Sequence, residues 1–179
     1  MDDLKEAILE KVAAAACRNE TRYHLCSQGT LAALMQAFGI HDPDVLRAST
    51  AFAGGGVRRG HMCGALGGAL MFIGLLAGRD DLEMRDQATR GLGYCDNVYR
   101  AFEDRFGTVL CRVLQKDLYG REYDLTRQEE RDEMHALMEK MDFACPQVCG
   151  EAARLAALVA FEILETGHPL ANSIVHFRY

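Results

Sequence analysis

Seven cysteines are the residues of this 179-residue chain whose type most readily carries chemistry. An odd count leaves at least one thiol unpaired in any disulfide scheme, and the density is too low for a disulfide-stapled mini-protein. The first residues, Met1-Asp2-Asp3-Leu4-Lys5-Glu6, are acidic and amphipathic. They lack the basic start and continuous apolar run of a secretory signal, so a cytoplasmic, reducing location is expected. There the cysteines are candidates for packing, metal ligation or thiol chemistry.

The seven divide by position. Cys17 closes the first predicted helix and Cys95 falls inside the apolar stripe of a long one; both read as small buried hydrophobes. Cys26, Cys63, Cys111 and Cys145 each fall within about a turn of a predicted helix start. A helix N-terminus carries partial positive charge and free N–H groups, which favour a thiolate and leave donors for its sulfur. Four such sites converging would cage a metal centre, either an iron–sulfur cluster or a four-cysteine zinc site. The gaps of 37, 48 and 34 residues match no compact metal knuckle, so convergence depends on the fold. Cys149 lies four residues after Cys145 on the same predicted helix and is a possible substitute ligand or an exchange thiol.

Other chemistry is sparse. His24 and His61 each precede a candidate cysteine by two residues and read as replacement ligands, donors to the sulfurs, or polar residues at a helix start. Arg58, Arg59 and Arg112 could offset an anionic centre or serve as solvated surface charge. C-x-x-C, C-x-x-C-H, H-E-x-x-H and the phosphate-loop pattern are absent, which removes thioredoxin-like, covalent-haem, metalloprotease and P-loop readings. No carboxylate pair or Ser-His arrangement suggests hydrolysis. A net charge of −6 argues against a nucleic-acid partner, which requires a basic footprint.

The elements that must position these residues are helical. Apolar residues recur at three and four along nearly the whole chain and period-two alternation is scarce, which predicts an all-α, single-domain bundle of about seven helices. Expected helices run from Asp3 to about Ala16, Cys26 to Phe38, Pro43 to about Ala51 behind an Asp42 cap, and Asp80 to Arg105 with a possible break at Gly91-Leu92-Gly93. Shorter ones follow Thr108 and surround Met134 to Met141, and Cys145-Pro146 opens the last. Residues 167–179 have no clear period and read as a C-terminal arm. Nine of the 17 glycines lie between 54 and 78, where a Gly-rich apolar helix is expected at the centre. Its uncharged stretch from Met62 to Gly78 spans roughly 25 Å, short for the ~30 Å core of a bilayer, which argues for burial in protein over a membrane span. Gly60, Gly64 and Gly68, spaced by four, would let a helix, a cofactor or a second copy of the chain come close.

The run Cys63-Gly64-Ala65-Leu66-Gly67-Gly68, read as C-G-A-x-x-G, resembles the signature of a family of redox-active proteins. That family is named for a cysteine, a Gly/Cys/Ala-x-x-Gly box and two further cysteines. Cys26-Ser27-Gln28 resembles its first cysteine segment, Phe106-Gly107-Thr108-Val109-Leu110-Cys111 its F-G-x-x-x-C segment, and Cys145-Pro146 its fourth cysteine. The resemblance spans about residues 20 to 160. It implies a helical fold, a redox role, and an iron–sulfur cluster bound by Cys26, Cys63, Cys111 and Cys145. Related helical folds occur in split-Soret cytochromes, but haem does not carry over without C-x-x-C-H. The expected activity is electron transfer or redox sensing with an unidentified redox partner protein. Two alternatives stay open: a metal-free dithiol protein and an interaction protein with a structural zinc site.

Overall fold

The computed structural model describes residues 2–167. Among these, eight α-helices and one 3₁₀ turn form an all-α bundle: α1 (Asp2–Tyr23), α2 (Cys26–Ala37), α3 (Pro43–Ala48) running into the 3₁₀ turn Ser49–Phe52, α4 (Gly64–Ala77), α5 (Arg85–Phe106), α6 (Cys111–Tyr119), α7 (Gln128–Met138) and α8 (Cys145–Glu165). The expected C-terminal arm lies, past Gly167, outside the described residues.

Four helices make the main body: α1 packs on α2 and α8, and α4 packs on α2 and α8, with α5 flanking α4 and α8. The core is built from Leu31, Leu34, Phe38, Leu66, Phe72, Leu76, Phe102 and Ile163, all buried. Phe38 centres it, with ring centroids 5.2 Å from Phe72 and 5.4 Å from Phe161. The α8 face toward the core is Ala152, Ala153, Ala156, Ala157 and Ala160, all buried, and small side chains are what permit close helix approach. A second, smaller apolar cluster of Tyr123, Leu125, Met134, Met138 and Ala144 lies under α6, α7 and the start of α8.

α4 is the buried central helix expected from its composition, and among the described residues no helix is long and apolar enough to cross a membrane. Its glycine face is used inside the chain. A Cβ on Gly68 would collide with the backbone of Ser27, and one on Gly64 with the sulfur of Cys26, so the helix that comes close is α2. Gly60 does not share that face: it precedes α4 in a loop and packs against Arg112.

Three helices differ in their boundaries from the sequence expectation: α7 spans Gln128–Met138, starting within the charged stretch ahead of Met134 and leaving Met141 outside, and α1 and α5 differ as well. α1 continues beyond Ala16 to Tyr23, because its buried stripe of Leu9, Val12 and Ala16 extends to Glu20; it stops where His24 turns left-handed at φ 53°. α5 starts at Arg85, later than expected, and runs unbroken through Gly91 and Gly93. Gly91 is needed there for packing, since an added Cβ would lie 2.6 Å from the carbonyl oxygen of Ala77. The Asp42 cap forms as expected, its carboxylate accepting from the N–H groups of Asp44 and Val45 at 3.1 and 3.0 Å.

Candidate functional site

Cys26 is the first residue of α2, Cys63 is the N-cap of α4, Cys111 opens α6 and Cys145 opens α8. Separate local devices set these four starts. The left-handed His24, whose N–H donates to the Glu20 carbonyl at 2.9 Å, reverses the chain between α1 and α2 and delivers Cys26. Cys63 and Cys111 arrive together. Cys63 N–H donates to the Val109 carbonyl and Cys111 N–H to the His61 carbonyl, both at 2.7 Å, around an antiparallel bridge between Met62 and Leu110. That staple holds the starts of α4 and α6 side by side. At α8, Pro146 sets the first turn, Ala144 N–H donates to the Gln147 side chain at 2.8 Å, and Cys145 N–H donates to the Tyr119 hydroxyl at 2.9 Å.

The loop before α4 completes the arrangement. Gly54, Gly55, Gly56, Val57 and Arg58 all have positive φ, a left-handed turn closed by hydrogen bonds from Gly60 and His61 N–H to the Gly54 and Gly55 carbonyls at 3.0 and 2.9 Å. Gly55 is required twice over: its φ is 75°, and a Cβ would lie 2.8 Å from that of Cys111. Val57, β-branched at φ 42°, is held in a conformation such residues rarely adopt.

All four of these cysteines line a single cavity of about 300 Å³, and Cys149, one turn into α8, lines it as well. The cavity is lined from both apolar clusters, by Ala65, Leu114 and Val148 of the main core and by Leu125 and Met134 of the smaller one. Cys17 and Cys95 lie elsewhere, both half-buried; Cys95 sits 3.9 Å from the Leu70 carbonyl oxygen. Of the two histidines considered, His24 lines the cavity and stacks on His135, ring centroids 3.9 Å apart. His61 is exposed and off the cavity. Of the three arginines, Arg58 stands at the cavity; Arg112 is occupied with the Gly60 and Arg59 carbonyls, and Arg59 is exposed.

The electrostatics run against a helix-terminus expectation of ready thiolates. Burial pushes the Cys63 thiol up to about 11, although N–H groups of Leu66 and Ala65 donate to its sulfur and pull the other way. Burial, then the Glu20 carboxyl, raise Cys145 to about 12 against a hydrogen bond from Tyr119. Cys26, Cys111 and Cys149 are pushed well up, again chiefly by burial, with neighbouring thiols adding to it. The Gly54 N–H opposes this at Cys26, and the Gln115 amide at Cys111. Without a cation the cavity therefore holds neutral thiols, which are poor nucleophiles at neutral pH. With a cation the order inverts, because thiolates become its ligands and the same N–H donors are already aimed at the sulfurs.

Four residues that the sequence reasoning missed belong here. Glu20, pushed up to about 7 by burial, is on the cavity wall. Gln115, buried, points its amide nitrogen at the Cys111 sulfur at 3.5 Å while its oxygen accepts from Tyr123 N–H at 3.0 Å. Tyr119 and His135 complete the set. The signal was a polar residue in register with an inward stripe: Glu20 one turn past Ala16, and Gln115 and Tyr119 one and two turns past Cys111.

An all-α bundle with five thiols around one cavity defines a class of cysteine-centred helical proteins. Within it, residues 24–159 match the family described as "Putative redox-active protein (C_GCAxxG_C_C)", and the chain belongs to that family. No curated protein and no solved structure matches the chain.

Proposed function

We propose that the protein is an iron–sulfur protein that transfers electrons or senses redox state, with Cys26, Cys63, Cys111 and Cys145 as thiolate ligands. The observation that carries this reading is that four separate helix N-termini each bring one cysteine to the same cavity. Their N–H groups and partial positive charge favour an anionic, thiolate-bound centre.

The spread of the donors favours a cluster over a single ion. Among the described residues no three Cys, His, Asp or Glu side chains gather closely enough to hold one metal ion. The thiols are spread around a space of about 300 Å³. That spread fits a multi-atom cluster bridging the sulfurs better than a closed zinc site, whose four ligands sit at bonding distance from one atom. The raised thiols also weigh against a metal-free dithiol protein, which needs an accessible, low-pKa thiolate. A bound cluster would supply one-electron chemistry. The chain's own groups would set its potential: N–H donors from Gly54, Ala65 and Leu66, the Gln115 amide and the Tyr119 hydroxyl bond the sulfurs, while Leu114, Met134 and Val148 exclude water. A cytoplasmic setting and a separate redox partner protein go with this reading, since electrons must come from and go to another carrier.

The test is anaerobic purification followed by visible absorption and iron and acid-labile sulfide analysis. Broad visible absorption with iron and sulfide in similar amounts supports the proposal. A colourless, metal-free protein with every thiol titratable after strictly anaerobic handling overturns it and favours the dithiol reading.

A further inference from the structure

The cavity contains one acid that a four-thiolate centre does not call for. Glu20 is 5% exposed, its Oε2 has no hydrogen-bond partner, and it lines the same cavity as the five cysteines. It precedes residues 24–159, the part of the chain matched to the family. None of the ion pairs among the described residues includes it. Of the two arginines on the cavity wall, Arg58 is exposed and Arg131 donates to the Leu125 carbonyl and the Gln128 side chain.

A buried carboxylate without a partner is strongly disfavoured, and thiolates around it make it worse. Glu20 lies close enough to raise the thiols of Cys26, Cys145 and Cys149, so a positive charge in the cavity they line would be favoured by the acid and the thiols alike. A bulky acid on the inward stripe of α1, where Leu9, Val12 and Ala16 precede it, has no packing rationale. Aimed into a cavity of sulfur donors, it has a ligand's position.

We propose that Glu20 is an oxygen ligand of the metal centre, so that one iron carries a carboxylate in a set otherwise made of thiolates and sulfide. The inference rests on the iron–sulfur reading above. On binding, the carboxyl releases its proton to solvent and an oxygen lone pair forms the bond to iron; no electrons are exchanged. A carboxylate is a harder donor than a thiolate, so the iron it holds differs electronically from its neighbours.

Iron-57 Mössbauer spectroscopy of the full chain, reconstituted anaerobically with ferrous iron and sulfide, reads this difference directly. The wild type is expected to show a minor doublet of larger isomer shift beside sulfur-ligated iron. Glu20→Gln, nearly the same shape without the charge, is expected to lose or shift that doublet and leave the others unchanged. Superimposable spectra at equal iron and sulfide content overturn the proposal while leaving the iron–sulfur reading intact. A wild type that takes up no iron and sulfide overturns both. If Glu20→Gln fails to fold by circular dichroism, the wild-type spectrum decides alone, because iron subsites of a single sulfur-ligated type refute carboxylate ligation.

Discussion

Replacing Gly68 by Ala should force α2 and α4 apart. The added Cβ would meet the Ser27 backbone, its carbonyl oxygen first and then its carbonyl carbon and Cα at 3.1 and 3.2 Å, and a backbone cannot swing aside as a side chain can. Overpacking of this kind costs about 1–3 kcal/mol, set against a gain of about 1 kcal/mol for replacing glycine by alanine within a helix. Gly74 isolates the packing effect. It lies in the same helix, is exposed, and an added Cβ meets nothing within 4 Å, so Gly74→Ala should show the propensity gain alone. The two variants should therefore differ by about 1–3 kcal/mol, or roughly 2–4 °C in midpoint for each kcal/mol at this chain length. Denaturant and thermal unfolding followed by far-UV circular dichroism measure the difference. The same crossing sets Cys26 against α4 one turn earlier, at Gly64, so folded Gly68→Ala should also take up less iron and sulfide than Gly74→Ala. Equal stability and equal loading of the two variants would refute the claim that the α2–α4 crossing both limits packing and shapes the cavity.

Serine at Cys26, Cys63, Cys111 or Cys145 should abolish visible absorption after reconstitution, whereas serine at Cys17 or Cys95 should retain it; equal loss at Cys63 and Cys95 would contradict the division between cavity and packing cysteines. In metal-free protein, alkylation of Cys63 at pH 8 should be roughly a hundredfold slower than in the unfolded chain, since its thiol is raised from 9.0 to about 11, and mass spectrometry of labelled peptides reads the rate. Glu20 is raised from 4.5 to about 7, so the folded state favours its protonated form. Its contribution is fully present below pH 4.5 and is lost as pH rises through 7, which should cost the metal-free protein about 3 kcal/mol by neutral pH. Glu20→Gln should flatten that part of the stability profile in denaturant titrations. Asp42→Ala removes two cap hydrogen bonds on α3 and should cost about 0.5–2 kcal/mol in the same assay.

Much of the fold was legible in the sequence because helices announce themselves locally: a three-and-four apolar period, Asp42-Pro43 at one start, Gly107 in its left-handed C-terminal position, Cys145-Pro146 at another. The start positions of Cys26, Cys63, Cys111 and Cys145 were readable for the same reason. Spacings of 37, 48 and 34 residues carry no information about distance, so only the tertiary structure decided that these starts open on one cavity. The hydrogen bonds that align Cys63 with Cys111 join segments far apart in the chain, and no local pattern encodes them. The glycines show the same division. Their spacing indicated a close approach, while the packing of α2 against α4 determined what approaches. Charge state was decided by tertiary structure as well. A helix start favours a thiolate, but burial of the whole cavity outweighs it, so the thiols are held in their neutral form and the Glu20 carboxyl is raised to about 7.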